Sequence, residues 1–381
     1  MTGIRIRSIS SLSDVDKSAW DAVANPTGEE FDPFLSWNFL QALEESGCAT
    51  AATGWQASHL VAENEIGELV GALPAYAKPH SYGEYVFDHA WADAYERAGG
   101  QYYPKLLSAI PFTPVTGRRL LSSDPDVREK LAEAAMAVTE NSGLSIWSTN
   151  FPSKTDREMG EALGLLYRVD RQYIWENADY QSYDNFLGDL SSRKRKALKK
   201  ERAAAQADIE IVGLTGADLR PEHWDVFFAC YQETGSRKWG APYLNREFFD
   251  LIHQRMADQV WLVLAKQDGR YIAAALNFIG SHALYGRYWG RLADTPFLHF
   301  ELCYHQAIDF AIERGLARVE AGAQGEHKLA RGYRPKSVHS LHYIPDENFR
   351  RAVADYLEYE RGAVLADIEA QKAELPFKQD N

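Results

Sequence analysis

Apolar positions along this chain recur at two spacings, every second residue and every third or fourth, and their succession sets out two similar halves. Ile4–Ile9 alternates as an edge strand does, and helical spacing follows at Ser13–Val23 and Leu35–Ser46. Strands are predicted at Ser58–Glu63 and Leu69–Ala77, the second after a glycine. A helix over Asp126–Asn141, stopped by Gly143, leads to a strand at Leu144–Thr149. A further helix (Lys154–Leu163) and a strand (Tyr167–Trp175) close the half.

The second half opens with Tyr180–Leu190, a basic helix at Ser192–Ala205 and a strand at Ile209–Leu214. Helices at Pro221–Thr234 and Arg246–Met256 precede a three-strand meander, Val260–Ala265, Ile272–Ile279 and Ala283–Trp289. Its turns are Asp268-Gly269 and Gly280-Ser281. A long helix is predicted from Thr295-Pro296, an N-cap and first-position pair, to Gly315, with Phe297, Tyr304, Ile308 and Ala311 as its buried stripe. The strand Ala317–Ala321 follows, and Asn348–Lys372 reads as one charged helix, a clasp over a domain. The fold class is therefore α/β (α+β) in two tandem domains, 1–176 and 177–381. Meander, helix and returning strand, used twice, is the order of the acyl-CoA N-acyltransferase (GNAT) fold, a splayed mixed sheet flanked by helices.

Composition narrows the class further. At 381 residues the chain exceeds one ordinary core, and its 45% hydrophobic and 25% charged residues are those of a globular protein. Its longest apolar run, Tyr271–Gly280, is far short of a membrane span and holds Asn277. Three scattered cysteines argue against a disulfide framework, and the first residues lack a signal-peptide core, so a reduced, cytoplasmic setting is expected. Net charge is −13, yet Ser191–Arg202 carries seven basic residues and one acid, leaving a balance of −19 elsewhere. That distribution excludes general coating of nucleic acid and leaves room for one local anion site. Four cations in the first turn of a helix also oppose its dipole, by about 0.3–1 kcal/mol each at low salt.

The densest chemistry lies between Glu320 and Pro335. Gly322 and Gly325 permit a tight bend, and Glu326, His327, Lys328, Arg331 and Arg334 follow within nine residues. On the predicted strand Tyr285–Gly290, Tyr285, Arg287 and Trp289 share a face, which places an arginine between two aromatics. Arg237-Lys238-Trp239-Gly240 has the composition of a binding loop. Tyr82-Gly83-Glu84-Tyr85 and Tyr102–Lys105 are dense in aromatics and lone charges, as a ligand cleft or a packed sheet face would be. No His-Glu-x-x-His, paired-cysteine or Gly-x-Ser-x-Gly motif is present, so neither a metal nor a serine nucleophile is predicted.

Taken together, Tyr82–Asp88, Ser192–Lys196, Arg237–Gly240 and Gly322–Lys328 resemble the FemAB-like, peptidoglycan biosynthesis/recognition-like family of predicted N-acyltransferases, over roughly Phe31 to Ile344. The resemblance implies transfer of an acyl or aminoacyl group to an amine, on a small molecule or peptide. Acyl-CoA or aminoacyl-tRNA would be the co-substrate, with no cofactor held tightly. Such chemistry needs a base, for which Glu326 or His327, helped by Glu320, is the candidate, and an acid, for which Tyr285 or Tyr288 is. Arg287, Lys328, Arg331 and Arg334 would hold phosphate or carboxylate, and Arg237, Lys238, Trp239, Tyr82, Glu84, Tyr85, Arg193 and Lys196 would line substrate or anion sites. A non-catalytic module binding a cell-wall fragment, peptide or nucleotide, or an RNA-binding protein using the Ser192 helix, are the alternative readings.

Overall fold

The computed structural model of the chain describes residues 3–238, 242–322 and 325–378, with the backbone alone at 236–238. Two compact units divide it: Met1–Asp170 with Ser337–Ala366, and Arg171–Lys336 with Asp367–Asn381. The division falls close to residue 176, but the last strand and most of the C-terminal helix (Glu347–Lys372) belong to the first unit, not to the second as the order of elements implied.

The first unit holds strands β1 (Arg5–Ile9), β2 (Gln56–Ala57), β3 (His59–Glu63), β4 (Leu69–Leu73), β5 (Tyr76–Lys78), β6 (Lys105–Ser108) and β7 (Trp147–Asn150). Strand β8 (Leu166–Glu176) carries the chain into the second unit, which holds β9 (Glu210–Leu214), β10 (Val260–Gln267), β11 (Arg270–Ile279), β12 (Ala283–Arg291) and β13 (Arg318–Glu320). Strand β14 (Arg334–Tyr343) leads back to the first.

In the first unit β1, β3 and β4 form one antiparallel sheet. The expected single strand Leu69–Ala77 is two, because Pro74 has no N–H to continue a ladder; β5 instead pairs with β2 and β6. Strand β6 then runs parallel to β7 through Leu106–Ser108 and Trp147–Thr149, and β7 is antiparallel to β14. Leu60, Leu73, Leu106, Trp147 and Leu341 make a core with Leu131 of the helix Pro125–Asn141, whose N-terminus is capped by Asp124. The helix His89–Arg97 and strand β6 escape the sequence pattern, since the residues around them mix aromatics and charges with no period.

The second unit repeats the plan. Strands β9, β10, β11 and β12 are antiparallel neighbours, β12 is parallel to β13, and β13 is antiparallel to β8. The β10–β11 hairpin turns at Asp268 (φ 49°) and Gly269 (φ 75°), the pair of positive φ angles that an Asp-Gly turn supplies. A meander whose last strand pairs in parallel with the next, under flanking helices, is the GNAT arrangement, present here twice in tandem.

The helix after β12 departs from expectation. Phe297 adopts φ 62° and is 45% exposed, so the helix begins at Leu298, not at Pro296. Glu301–His305 then forms a π-turn before regular helix resumes over Gln306–Glu313. The helix Pro221–Lys238 likewise extends four residues beyond the predicted end at Thr234. It packs so tightly on β12 that a Cβ built on Gly290 would lie 1.9 Å from the carbonyl oxygen of Cys230. Gly290→Ala should therefore destabilise the fold by about 1–3 kcal/mol, read as a lower urea midpoint at unchanged slope. A midpoint equal to wild type would contradict this packing.

Candidate functional site

In the second unit the parallel pair is short. Strands β12 and β13 match only at Ala283–Arg318, Leu284–Val319 and Tyr285–Glu320. Beyond that rung β13 ends, the chain swings away at Gly322 (φ 79°), and β12 continues to Arg291. On its other side β12 slips register against β11: Leu276 faces Tyr288 and Asn277 faces Gly286, so Arg287 sits in a bulge. An opening between parallel strands, next to a bulge, is where a sheet can admit an extended ligand. Tyr285 and Glu320 close its inner end, both buried, with Glu320 accepting from Arg318 Nε at 2.7 Å.

The loop after β13 forms one lip. Gly322 and Gly325 (φ 115°) both hold backbone angles that favour glycine, and a Cβ on Gly325 would strike the His327 ring at 2.4 Å. Ala323 and Gln324 lie outside the described residues. A turn of 3-10 helix, Glu326–Arg331, then sorts the predicted polar cluster by exposure. Glu326 points outward, 3.6 Å from Arg171. His327 is also exposed, and its Nε2 is hydrogen-bonded to the Tyr304 hydroxyl at 2.9 Å. Burial raises the Tyr304 pKa, so the phenol stays protonated.

Lys328 turns inward instead. It is 1% exposed, and its Nζ donates to the Gly322 carbonyl at 2.7 Å, clasping the glycine turn from below. With no carboxylate beside it, burial brings its pKa down to about 7. A point cation for phosphate, the role expected of it, would need an exposed ammonium. This amine is a buried clasp.

Arg331 is fixed by a carboxylate from the basic helix. Its Nε and Nη2 donate to Glu201 Oε1 and Oε2 at 2.9 and 2.6 Å, a bidentate pair, and Nη1 donates to the His327 carbonyl at 2.6 Å. The guanidinium also covers the Phe300 ring at 3.4 Å. Glu201 Oε1 in turn accepts from His305 Nε2 at 2.9 Å, and His305 Nδ1 accepts from Tyr183 at 2.5 Å. Burial opposes charge on Glu201, yet the hydrogen bonds from His305 and Arg331 outweigh it and lower its pKa. The π-turn has a cause here: it aims both His305 and Glu301 inward, where Glu301 meets Arg202, Gln206 and Gln306. Glu201, Arg202, Glu301 and His305 were not among the residues predicted for the site. Glu201, as the lone acid in a basic run, was the available signal.

The other predicted residues lie apart from this lip. Arg334 stacks on Phe377 at 4.1 Å and stands 3.9 Å from Glu176. Arg287 is 5.3 Å from the Tyr288 ring. Arg193 and Lys196 are exposed on the helix Ser192–Ala205. The side chains of Arg237 and Lys238, and all of Trp239, lie outside the described residues. In the first unit Tyr82 is 64% exposed, and Tyr85 packs beside Val86 and Phe151.

Glu84 does not face a cleft: it is buried with Lys78, Asp88 and Lys105 in a charge knot. Lys105 Nζ donates to Glu84 at 2.7 Å, to Ser81 at 2.8 Å and to Asp88, and Lys78 lies 3.6 Å over the Trp55 ring. The two lysines face each other across the β5–β6 rung, so the carboxylates are what make that register tolerable. Burial raises the Glu84 pKa and brings that of Lys78 down to about 7. Among the described residues no group of three His, Cys, Asp or Glu side chains is placed to hold a metal, and no helix is long and apolar enough to cross a membrane.

The fold is thus two GNAT-like units in tandem, the second with an opened parallel pair and a polar lip. The chain belongs to the FemAB-like family, described as peptidoglycan biosynthesis/recognition, which matches residues 11–379. Among solved structures it is similar to FemX, with a TM-score of 0.56 and 13% identity over 89% of this chain and 98% of that one. It is equally similar in fold to the C-terminal domain of a putative lysylphosphatidylglycerol synthetase from Agrobacterium fabrum (TM-score 0.56, 9% identity, 92% and 97% covered). A structure of L-PGS from Bacillus licheniformis is close behind, at a TM-score of 0.51 and 10% identity, covering 87% and 98%. At such identities these likenesses show the fold alone. No curated protein matches in sequence.

The buried amine gives a pH-dependent outcome. Lys328 has a pKa of about 7 in the folded chain against about 10.4 when unfolded, so between these values the unfolded state binds more protons. Its contribution to stability should therefore rise with pH from about 7 to 10, by about 4 kcal/mol at most. Urea melts across that range should show Lys328→Met lacking the rise. Parallel pH profiles for wild type and variant would refute the buried, weakly partnered amine.

Proposed function

We propose that the protein is an N-acyltransferase that binds the acyl group of its donor at the opening between β12 and β13 and passes it to an amine. The observation that carries this reading is the three-rung parallel pair with the Arg287 bulge beside it, which leaves a seat for an extended acyl chain at the end of the sheet. Family membership supports an acceptor drawn from peptidoglycan chemistry, a peptide or amino-sugar amine. The donor is a thioester of CoA or an aminoacyl ester of tRNA, and both present the same activated carbonyl.

The acceptor nitrogen attacks that carbonyl, a C–N bond forms, and the C–S or C–O bond to the carrier breaks. A proton must leave the nitrogen, and His327, exposed on the lip, receives it at Nδ1 while its Nε2–H is held by the Tyr304 oxygen. Tyr304, buried and protonated, orients that ring through its hydroxyl. Tyr285, at the last rung, supplies the proton that the departing sulfur or ribose oxygen needs. The N–H groups of Gly322, whose carbonyl Lys328 holds, and of Gly325 are the proposed donors to the oxyanion. Glu326, exposed and paired with Arg171, is the weaker candidate for base.

The test is amide formation, followed by mass spectrometry, with acyl-CoAs of several lengths and with aminoacyl-tRNA, each against muropeptide amines. A new amide from one donor class is expected, and His327→Ala should lower turnover about a hundredfold at unchanged melting temperature. No amide from any donor would contradict the reading, and full activity in His327→Ala would remove that residue from the role of base.

A further inference from the structure

The helix Ser192–Ala205 buries Leu198 and Ala205, and Glu201 and Arg202 are committed to Arg331, His305, Glu301 and Asp309. What remains is a face of unusual composition. Arg193, Lys196 and Lys200 recur three and four residues apart and are exposed, with exposed Ala197 between them and exposed Ala204 one turn beyond Lys200. Lys199 is 2.9 Å from Asp184. Among the described residues, Arg193, Lys194, Arg195, Lys196 and Lys200 have no ion-pair partner. The first turn contains no acid, and Ser191 makes no side-chain cap, so these cations meet the positive end of the helix dipole with nothing to offset them. A chain with a balance of −19 elsewhere had acids to spare for pairing, and among the described residues none is placed against these five cations.

We propose that this face docks the protein on a bilayer rich in anionic phospholipid. The alanines keep the surface low beside long cationic side chains, so all three heads can reach one plane together. The face has no apolar stripe to insert, which makes the contact electrostatic and reversible, as for a polybasic segment beside anionic headgroups. A nucleic acid fits less well. The helix carries no aromatic side chain on which a base could stack, and the acidic remainder would repel a backbone extending past its nearly four turns. The inference is independent of the transfer chemistry.

The experiment is co-sedimentation of the full chain with vesicles of phosphatidylcholine alone or with about one-third phosphatidylglycerol, at low and physiological salt. Binding should need the anionic lipid and fall steeply as salt rises. Arg193→Glu/Lys196→Glu/Lys200→Glu should bind about a hundredfold more weakly, with Arg193→Gln/Lys196→Gln/Lys200→Gln in between and both melting like wild type. Equal binding by the charge-reversed variant, or no binding to the anionic vesicles, would overturn the proposal. So would tighter binding to an RNA oligonucleotide than to vesicles, lost in the same variant, since the partner would then be a nucleic acid.

Discussion

One carboxylate, Glu201, joins three parts of the second unit that are distant in sequence. It grips Arg331, 130 residues away, through both oxygens, and accepts from His305, 104 residues away. Through Arg331 it fixes the lip Glu326–Arg331, and through His305 the π-turn; the basic helix that carries it is anchored in the same act. Pairs of this kind, desolvated and bidentate, contribute little net energy against an apolar replacement, but leaving one partner unmatched is costly. Their effect is on position. The lip that presents His327 is short and begins at a glycine turn, so it would have many conformations without Arg331 holding its last residue.

The same logic appears in the first unit with other residues. Lys78 and Lys105 face each other on adjacent strands, a register that like charges disfavour, and Glu84 and Asp88 come from one following segment to neutralise them. That segment thereby gains a fixed path across the sheet, with Tyr82 and Phe87 left exposed on it. In both units, then, charges that read in the sequence as ligand contacts are used to pin loops. A buried ion pair and a binding site have the same composition, and only their exposure separates them.

This explains what could be read from the chain before its structure. Elements with a clear period were legible: the helices Ser192–Ala205 and Arg246–Met256, the meander β10–β12 and its Asp-Gly turn all lie where apolar spacing put them. The tandem GNAT-like plan followed from their order, and the family resemblance from four motifs. Strand β6 and the helix His89–Arg97 were not legible, because Lys105 and Asp88 look like surface residues until the knot is seen. The π-turn was hidden for a related reason. Glu301 and His305 fit a regular helix by spacing, and only Arg202 and Glu201, a hundred residues earlier, explain why an extra residue is accommodated. Of the polar cluster after β13, the sequence revealed the residues but not which faced solvent. Glu326 and His327 do, Lys328 and Arg331 do not.

The claim on which the account rests is that Glu201 and Arg331 act as one unit in holding the lip. A double-mutant cycle measures this directly, with Glu201→Gln, Arg331→Met and the double variant compared by urea unfolding. The account predicts coupling of about 2–3 kcal/mol, the double variant being hardly less stable than either single one. Additive losses would mean that the two side chains stabilise the unit separately, and that the lip is held by something other than their pairing.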